Sequence, residues 1–473
     1  MTTTRRDFLR SAAAVTLGFH GLQSFVRGLG GTVRAATVGG VGYGPLIADP
    51  ERIFDLPAGF SYRVISRIGE RMDDGLIVPG DPDGMAAFSG PDGKIILIRN
   101  HELEPKERAE KSPFGPKNEL MDRIPTDLIY DLGRARKPCI GGTTTLLYDP
   151  TSRRVERQFL SLAGTENNCA GGPTPWNSWI SCEESTSKIG EDYQRDHGWA
   201  FEVPATLDGH PVAPEPIKPM GRFRREAVAV DPRSSAVYQT EDVEDGLIYR
   251  FLPDKPGELL AGGRTQALML RDRPGCDTRN WLGTSGQPLF PPLPVGQRWH
   301  VKWLDLDQID SPDDDLRLRG FAAGAARFAR GEGMWYGRDS VYFACTNGGR
   351  NQMGQIWRYH PSPFEGTPRE TEAPGMLELF IEPNNQGVIE NADNLTVSPW
   401  GDLVVCEDGS GEQFLIGVTP QGQCYRLGRN AKSESELAGC VFSPDGKTLF
   451  LNLQADGLTL AITGPWRGAS DVG

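Results

Sequence analysis

One hydrophobic–polar pattern recurs along this chain. A polar residue opens a short apolar run, a Pro- or Gly-centred turn interrupts it, and a second apolar run ends on carboxylates or amides. It first occurs at Asp83–Phe88, turning through Pro91-Asp92-Gly93 and ending at Asn100-His101-Glu102. The second copy starts at Cys169, turns at Pro175 and ends on Glu183-Glu184. The third runs from Glu226 through Asp231-Pro232 to Glu241-Asp242, and the fourth from Glu332 through Gly337 to Thr346-Asn347. The fifth runs from Asp393 through Pro399-Trp400-Gly401 to Glu407-Asp408. The sixth runs from Gly439 through Pro444-Asp445-Gly446 to Asn452-Leu453-Gln454.

Each copy reads as a β-hairpin, because apolar runs this short, split by turn residues, are strands. Repeated hairpins with turn chemistry at a fixed offset are the signature of a propeller. Six copies predict an all-β chain folded as a single six-bladed β-propeller, with loop insertions where the spacing is uneven. The composition agrees: 38% hydrophobic residues, with 58 glycines and 37 prolines, suits a turn-rich β protein.

In an antiparallel hairpin the start of the first strand lies beside the end of the second. In a propeller, equivalent strand ends converge on the axis at one face. The polar ends should therefore gather in a ring of Asp83, Glu102, Cys169, Glu183, Glu184, Glu226, Glu241, Asp242, Glu332, Asn347, Asp393, Glu407, Asp408 and Asn452. So many carboxylates raise one another's pKa values or destabilise the fold unless something neutralises them. Bound multivalent cations do so.

Charge and the first residues set the context. A net charge of −13 argues against nucleic acid and an anionic membrane surface as partners. No stretch approaches the ~20 apolar residues of a membrane span. Thr4–Arg10 carries a twin-arginine motif, followed by a weakly apolar run to Phe25 and a small-x-small cleavage site at Val33-Arg34-Ala35. Residues 1–35 are expected to be a Tat signal peptide and 36–473 the propeller domain. The Tat translocase is then a partner during export, the destination is periplasmic or secreted, and the mature protein is expected to be a monomer without stable membrane association.

The eight cysteines form no C-x-x-C pair, and of the six histidines only His101 lies near the ring. There is no G-x-S-x-G and no H-E-x-x-H, so serine-hydrolase and His-rich zinc chemistry are not indicated. The expected ligands are oxygens plus one thiol, Cys169. Oxygen donors suit Ca²⁺ or Mg²⁺, and a thiolate among them favours a transition metal, so a mixed calcium and iron-type site follows. Cations on the axis suit hydrolysis of an anionic ester, binding phosphoryl oxygens and generating a hydroxide or oxide nucleophile. An arginine should then hold the phosphoryl group. Arg330, two residues before Glu332, is the best placed, and Arg350 is second.

The stretches NNCAGGPTPWNSWISCEE, GRFRREAVAVDP, ARGEG and ADNLTVSPWGDLVVCEDG resemble the PhoX family of bacterial Tat-exported alkaline phosphatases. The resemblance covers nearly the whole mature chain. It implies a six-bladed propeller holding an iron–calcium cofactor with a bridging oxo group, and hydrolysis of small phosphomonoesters. Matched by motif, Cys169 is the iron-ligating cysteine. Glu184, Glu226 and Glu332 are metal-ligating glutamates, and Arg330 contacts phosphate. Asp393, Glu407 and Asp408 lie in a motif expected to hold Ca²⁺. The chain departs from the family pattern at Arg225, where a histidine is expected, and at Gly331, where a proline is. Two other readings are a Ca²⁺-dependent propeller lactonase or phosphodiesterase, and a non-catalytic propeller with structural metals.

Overall fold

The computed structural model describes residues 41–467 except 108, 135, 136 and 191, so the expected signal peptide lies outside the described residues. All six hairpins are present. Pro82–Ser89 pairs with Ile95–His101, Asn168–Pro173 with Ser178–Glu183, and Arg225–Val230 with Val237–Glu241. Gly331–Gly337 pairs with Ser340–Cys345, Ala392–Val397 with Leu403–Glu407, and Leu437–Phe442 with Thr448–Leu453. In the fourth pair the turn lies just beyond the Gly337 expected, because Gly337 pairs with Ser340 within the ladder. Arg338 and Asp339, which join the fourth pair, both have positive φ (50° and 58°). A two-residue turn with that twist matches the twist of the strands it connects.

Each hairpin is extended outward by further antiparallel strands, and the whole is all-β and propeller-like. The only α-helix among the described residues, Leu316–Ala322, lies in a loop between hairpins three and four. No helix among the described residues is long and apolar enough to cross a membrane.

The sheets do not separate into six. Among the described residues hydrogen bonding gives five, of four, three, nine, six and four strands in chain order of their hairpins. The difference arises in the insertion after the third hairpin. Its strand Arg298–Asp305 pairs with Gly263–Leu270 on one side and with Met376–Ile381, the outer strand of the fourth group, on the other. The third and fourth groups thereby share one nine-stranded sheet. Its two edges, Arg225–Val230 and Gly331–Gly337, return into contact, so this sheet nearly closes on itself.

The hairpins nonetheless form a closed circuit. The first strand of each touches the first strand of the next, and that of the sixth touches that of the first. Apolar wedges fill the gaps. Phe88, Trp179 and Phe201 lie between hairpins one and two, and Ile180, Val228 and Val237 between two and three. Met334, Tyr238 and Phe343 lie between three and four, and Ala344, Leu395 and Val405 between four and five. Val404, Cys406, Cys440 and Leu451 lie between five and six, and Met85, Leu97, Val441 and Phe450 between six and one. The two ends of the described chain are tied in by pairing: Ser61–Arg67 completes the last sheet against Leu458–Thr463. All eight cysteines are free, and Cys182, Cys345 and Cys406 are buried within apolar wedges as small hydrophobes.

Candidate metal centre

The same irregularity opens all six hairpins. In the first, Pro82 pairs with His101 and then Met85 with Arg99, so Asp83-Gly84 is bulged out of register. The bulged residues of the next four are Cys169-Ala170, Glu226-Ala227, Glu332-Gly333 and Asp393-Asn394. A bulge re-aims a side chain out of the strand's alternation. Here the first bulged residue is each time the polar one the repeat singled out. The backbones touch at this level. A Cβ on Gly84 would lie 2.6 Å from Ala170 Cα, and one on Gly333 would lie 2.7 Å from Asn394 Cα, so only glycine fits. The sixth hairpin bulges at Gly439-Cys440 and places no donor there.

These residues converge. The donor atoms of Cys169, Glu184 and Glu226 lie within 4.8 Å of one another, as do those of Glu226, Glu332 and Asp393. Glu226 thus links the two groups. A third group joins Asp83, Glu102 and Glu436. Glu436 was not anticipated: it precedes its hairpin, whose polar start was expected at Gly439. Asp242 reaches Glu184, and Asp408, at the exposed rim, reaches Glu436.

The paired acids divide by position. Successive residues of a strand point to opposite faces. Glu183, Glu241 and Glu407 end the second strands of their hairpins and turn away from the axis. Glu183 accepts from the backbone N–H groups of Glu166, Gly198 and Trp199 and from His197 Nδ1 (2.6 Å). Glu241 accepts from Leu247 N and Tyr249 Oη (2.7 Å), and Glu407 from Glu390 N and Phe414 N (both 2.9 Å). Their successors Glu184, Asp242 and Asp408 face the cluster. His197 sits between Glu183 and Asp131 (3.2 Å to Nε2) with Cys139 beside it, and the two carboxylates hold it protonated well above the usual histidine range against its burial. This group is fully hydrogen-bonded packing behind Glu184.

The Asn452 side chain is committed elsewhere, whereas Asn347 Oδ1 is buried with no hydrogen-bond partner. The Asn347 backbone carbonyl accepts from Trp281, and Asn452 Nδ2 donates to the Asp83 carbonyl (2.6 Å), bracing that bulge. Gln454, at the end of the sixth hairpin, donates to Asp83 Oδ2 (3.1 Å) and Glu102 Oε2 (2.7 Å). His101 is buried between Gly80 O and Thr144 Oγ1.

The electrostatics are those of a cage short of positive charge. Burial first, then repulsion from neighbouring carboxylates, pushes Asp83, Glu184, Glu226, Glu332 and Glu436 well above the usual carboxylate range. Glu102 and Asp393 are pushed up to about 7. Burial and the same acids push the Cys169 thiol up. Asp83 Oδ1 is buried with no hydrogen-bond partner. Such an atom costs roughly 1–3 kcal/mol unless something binds it. An orphaned oxygen, mutually repelling acids and a set of oxygen donors with one sulfur fit a multinuclear metal cluster.

Arg330 sits at the edge of this cage. It takes a left-handed backbone (φ 47°) fixed by Arg330 N to Val243 O and Thr346 N to Arg330 O. That conformation costs roughly 1–3 kcal/mol and is held by its surroundings, as at many functional sites. The guanidinium forms two 2.8 Å bonds to Asp242 and one of 3.0 Å to Glu332. Arg350 is exposed in the following loop and is not brought to the cluster. Arg225, in place of the expected histidine, turns outward to Gln239, Gly198 O, Met220 O and Gly221 O, and is wholly buried. A cavity of about 540 Å³ opens beside Glu184.

The fold and site define a propeller-like protein built around a candidate metal cage. No curated protein matches the chain in sequence. The family described as alkaline phosphatase PhoX matches residues 41–457. The chain belongs to this family and is a hydrolase of the phosphatase class. A structure of Pseudomonas fluorescens PhoX in complex with vanadate, a transition state analogue, is similar with a TM-score of 0.63 at 18% identity, over 89% of this chain and 97% of that one. At that identity the likeness speaks for the fold. XC5397 from Xanthomonas campestris, a gluconolactonase, has a TM-score of 0.39 at 11% identity over 90% of this chain and 98% of its own. A luciferin-regenerating enzyme has 0.40 at 12% over 86% and 96%. Both are too distant to speak for a shared fold.

Proposed function

We propose that this chain hydrolyses small phosphomonoesters at an iron–calcium cluster on the axis of a six-bladed propeller, two of whose blades share a sheet. The observation that carries the reading is the convergence of Cys169 and Glu184 with Glu226, which in turn belongs to the Glu226–Glu332–Asp393 group. Cys169, Glu184 and Glu226 would hold iron, since a thiolate favours a transition metal. Glu332 and Asp393 with Glu226, and Asp83, Glu102 and Glu436, are oxygen-only sets suited to Ca²⁺. When bound, the metals supply Lewis-acid stabilisation of the phosphoryl and leaving oxygens.

The chain's own residues position the substrate. Arg330, clamped by Asp242 and Glu332, presents its remaining donors to the phosphoryl oxygens. Asn167 Nδ2 holds Glu184 Oε2 (3.1 Å), and Gln454 holds Asp83 and Glu102. The apolar wedges keep water from reaching the cage through the sides of the ring. We place the working protein in the periplasm or outside the cell, exported by the Tat translocase, as a monomer. Hydrolysis of p-nitrophenyl phosphate, measured before and after chelation and again after iron and calcium are restored, tests the reading. Activity that is lost and recovered is expected, and activity indifferent to chelation would overturn it.

A further inference from the structure

The cavity beside Glu184 carries chemistry that the cage does not use. Its wall includes Glu184, Arg224, Lys137 and Lys106. Lys106 is paired with Glu104. Arg224 and Lys137 make no side-chain hydrogen bond or ion pair with the described residues. Arg224 is half-buried, and its carbonyl accepts from Asp242 N (3.0 Å), which fixes it at the cluster end of the third hairpin. The acids of the wall are only partly committed. Glu184 belongs to the cage, and Glu166 accepts from Ser185 Oγ (2.6 Å) and Ser187 Oγ (2.7 Å) through Oε1, while its Oε2 is buried without a hydrogen-bond partner. Asp192 is exposed. Arg224 is thus the half-buried cation of this wall whose guanidinium has no carboxylate partner among the described residues.

We propose that this cavity is the leaving-group subsite, and that Arg224, with Lys137, selects phosphomonoesters whose alcohol part carries a second negative charge. This rests on the phosphatase reading above. A volume of about 540 Å³ is in the range of small-molecule sites. With the phosphoryl group at the cage, the alcohol part extends into this cavity, which Glu184 also lines. A guanidinium without a partner there matches a carboxylate or second phosphate in a bidentate fork. A neutral alcohol leaves it unsatisfied. Partial burial spares the interaction much of the screening a surface charge suffers.

The test compares 3-phosphoglycerate with glycerol 3-phosphate, which differ by a carboxylate, using the metal-loaded mature protein and p-nitrophenyl phosphate as reference. The wild type is expected to prefer 3-phosphoglycerate. Arg224→Met should lower kcat/KM for 3-phosphoglycerate about tenfold or more while glycerol 3-phosphate stays within about twofold, and Arg224→Lys should restore part of the loss. Retained glycerol 3-phosphate turnover also reports that the variant is folded and loaded. An equal loss on both esters, or no loss on either, with p-nitrophenyl phosphate still hydrolysed by the wild type, overturns the inference and leaves the phosphatase reading standing. No hydrolysis of any of the three by the loaded wild type overturns both.

Discussion

Cys169 and Glu226 occupy the same bulge position of neighbouring hairpins, and their donor atoms lie in one group with Glu184. The Cys169 thiol is also 3.7 Å from the Glu226 carbonyl. That contact is to the backbone; the carboxylate that Glu226 shares with the oxygen-only set lies within 4.8 Å of the one sulfur of the cage. Cys169→Ala is expected to remove iron and lower phosphatase activity at least ~100-fold, since even losing a residue that supports a metal ligand costs 10–100-fold. Metal analysis and kinetics on one preparation check this. A variant that keeps both would make Cys169 a packing residue.

Glu183 and Glu184 are adjacent and opposite in role. Glu184→Gln should cost metal and activity with modest change in folding. Glu183→Gln should keep the metals but destabilise the fold by about 3–5 kcal/mol, because it leaves His197 charged and underpaired in the interior. Denaturant unfolding read beside metal content separates the two. The reverse pattern would place the wrong acid at the cage.

Arg330 is expected to act on substrate and not on loading. Arg330→Met should retain the metals and lower kcat about 10²–10³-fold, the usual cost of one transition-state donor. Arg350→Ala, exposed and remote, should stay within about twofold. Steady-state kinetics on metal-quantified protein decide it.

The demetallated protein should gain stability in acid. Glu102 and Asp393 have folded-state pKa values near 7, against ordinary values of 4.5 and 3.8. Between about pH 4 and pH 7 the folded state thus binds more protons than the unfolded one. Stability is greatest below that window and is lost as the pH rises through it. Chelated protein should melt progressively lower from pH 5 to pH 8, with the metal-loaded protein much less affected. Parallel melting curves for both forms would argue against a charge-starved cage.

The sequence repeat located Asp83, Cys169, Glu226, Glu332 and Asp393 because each starts a copy at the same phase, and the bulges explain why that phase faces the axis. It did not say which acid of Glu183-Glu184, Glu241-Asp242 or Glu407-Asp408 faces inward. The second strands are buried on both faces, so their apolar runs do not alternate and carry no phase. Glu436 escaped because it lies before its strand, outside the repeat. The merging of the third and fourth groups depends on where Arg298–Asp305 docks, a long-range pairing that local pattern does not encode. Arg225 read as a departure at the site, yet it faces away from it, between the strand and Gly221.

The central claim is a mixed cage, and the most direct measurement is elemental analysis of the exported, purified protein. Iron and calcium co-purifying in fixed ratio, both lost on chelation together with p-nitrophenyl phosphate hydrolysis, is the result expected. Calcium alone, with no phosphatase activity, would contradict it.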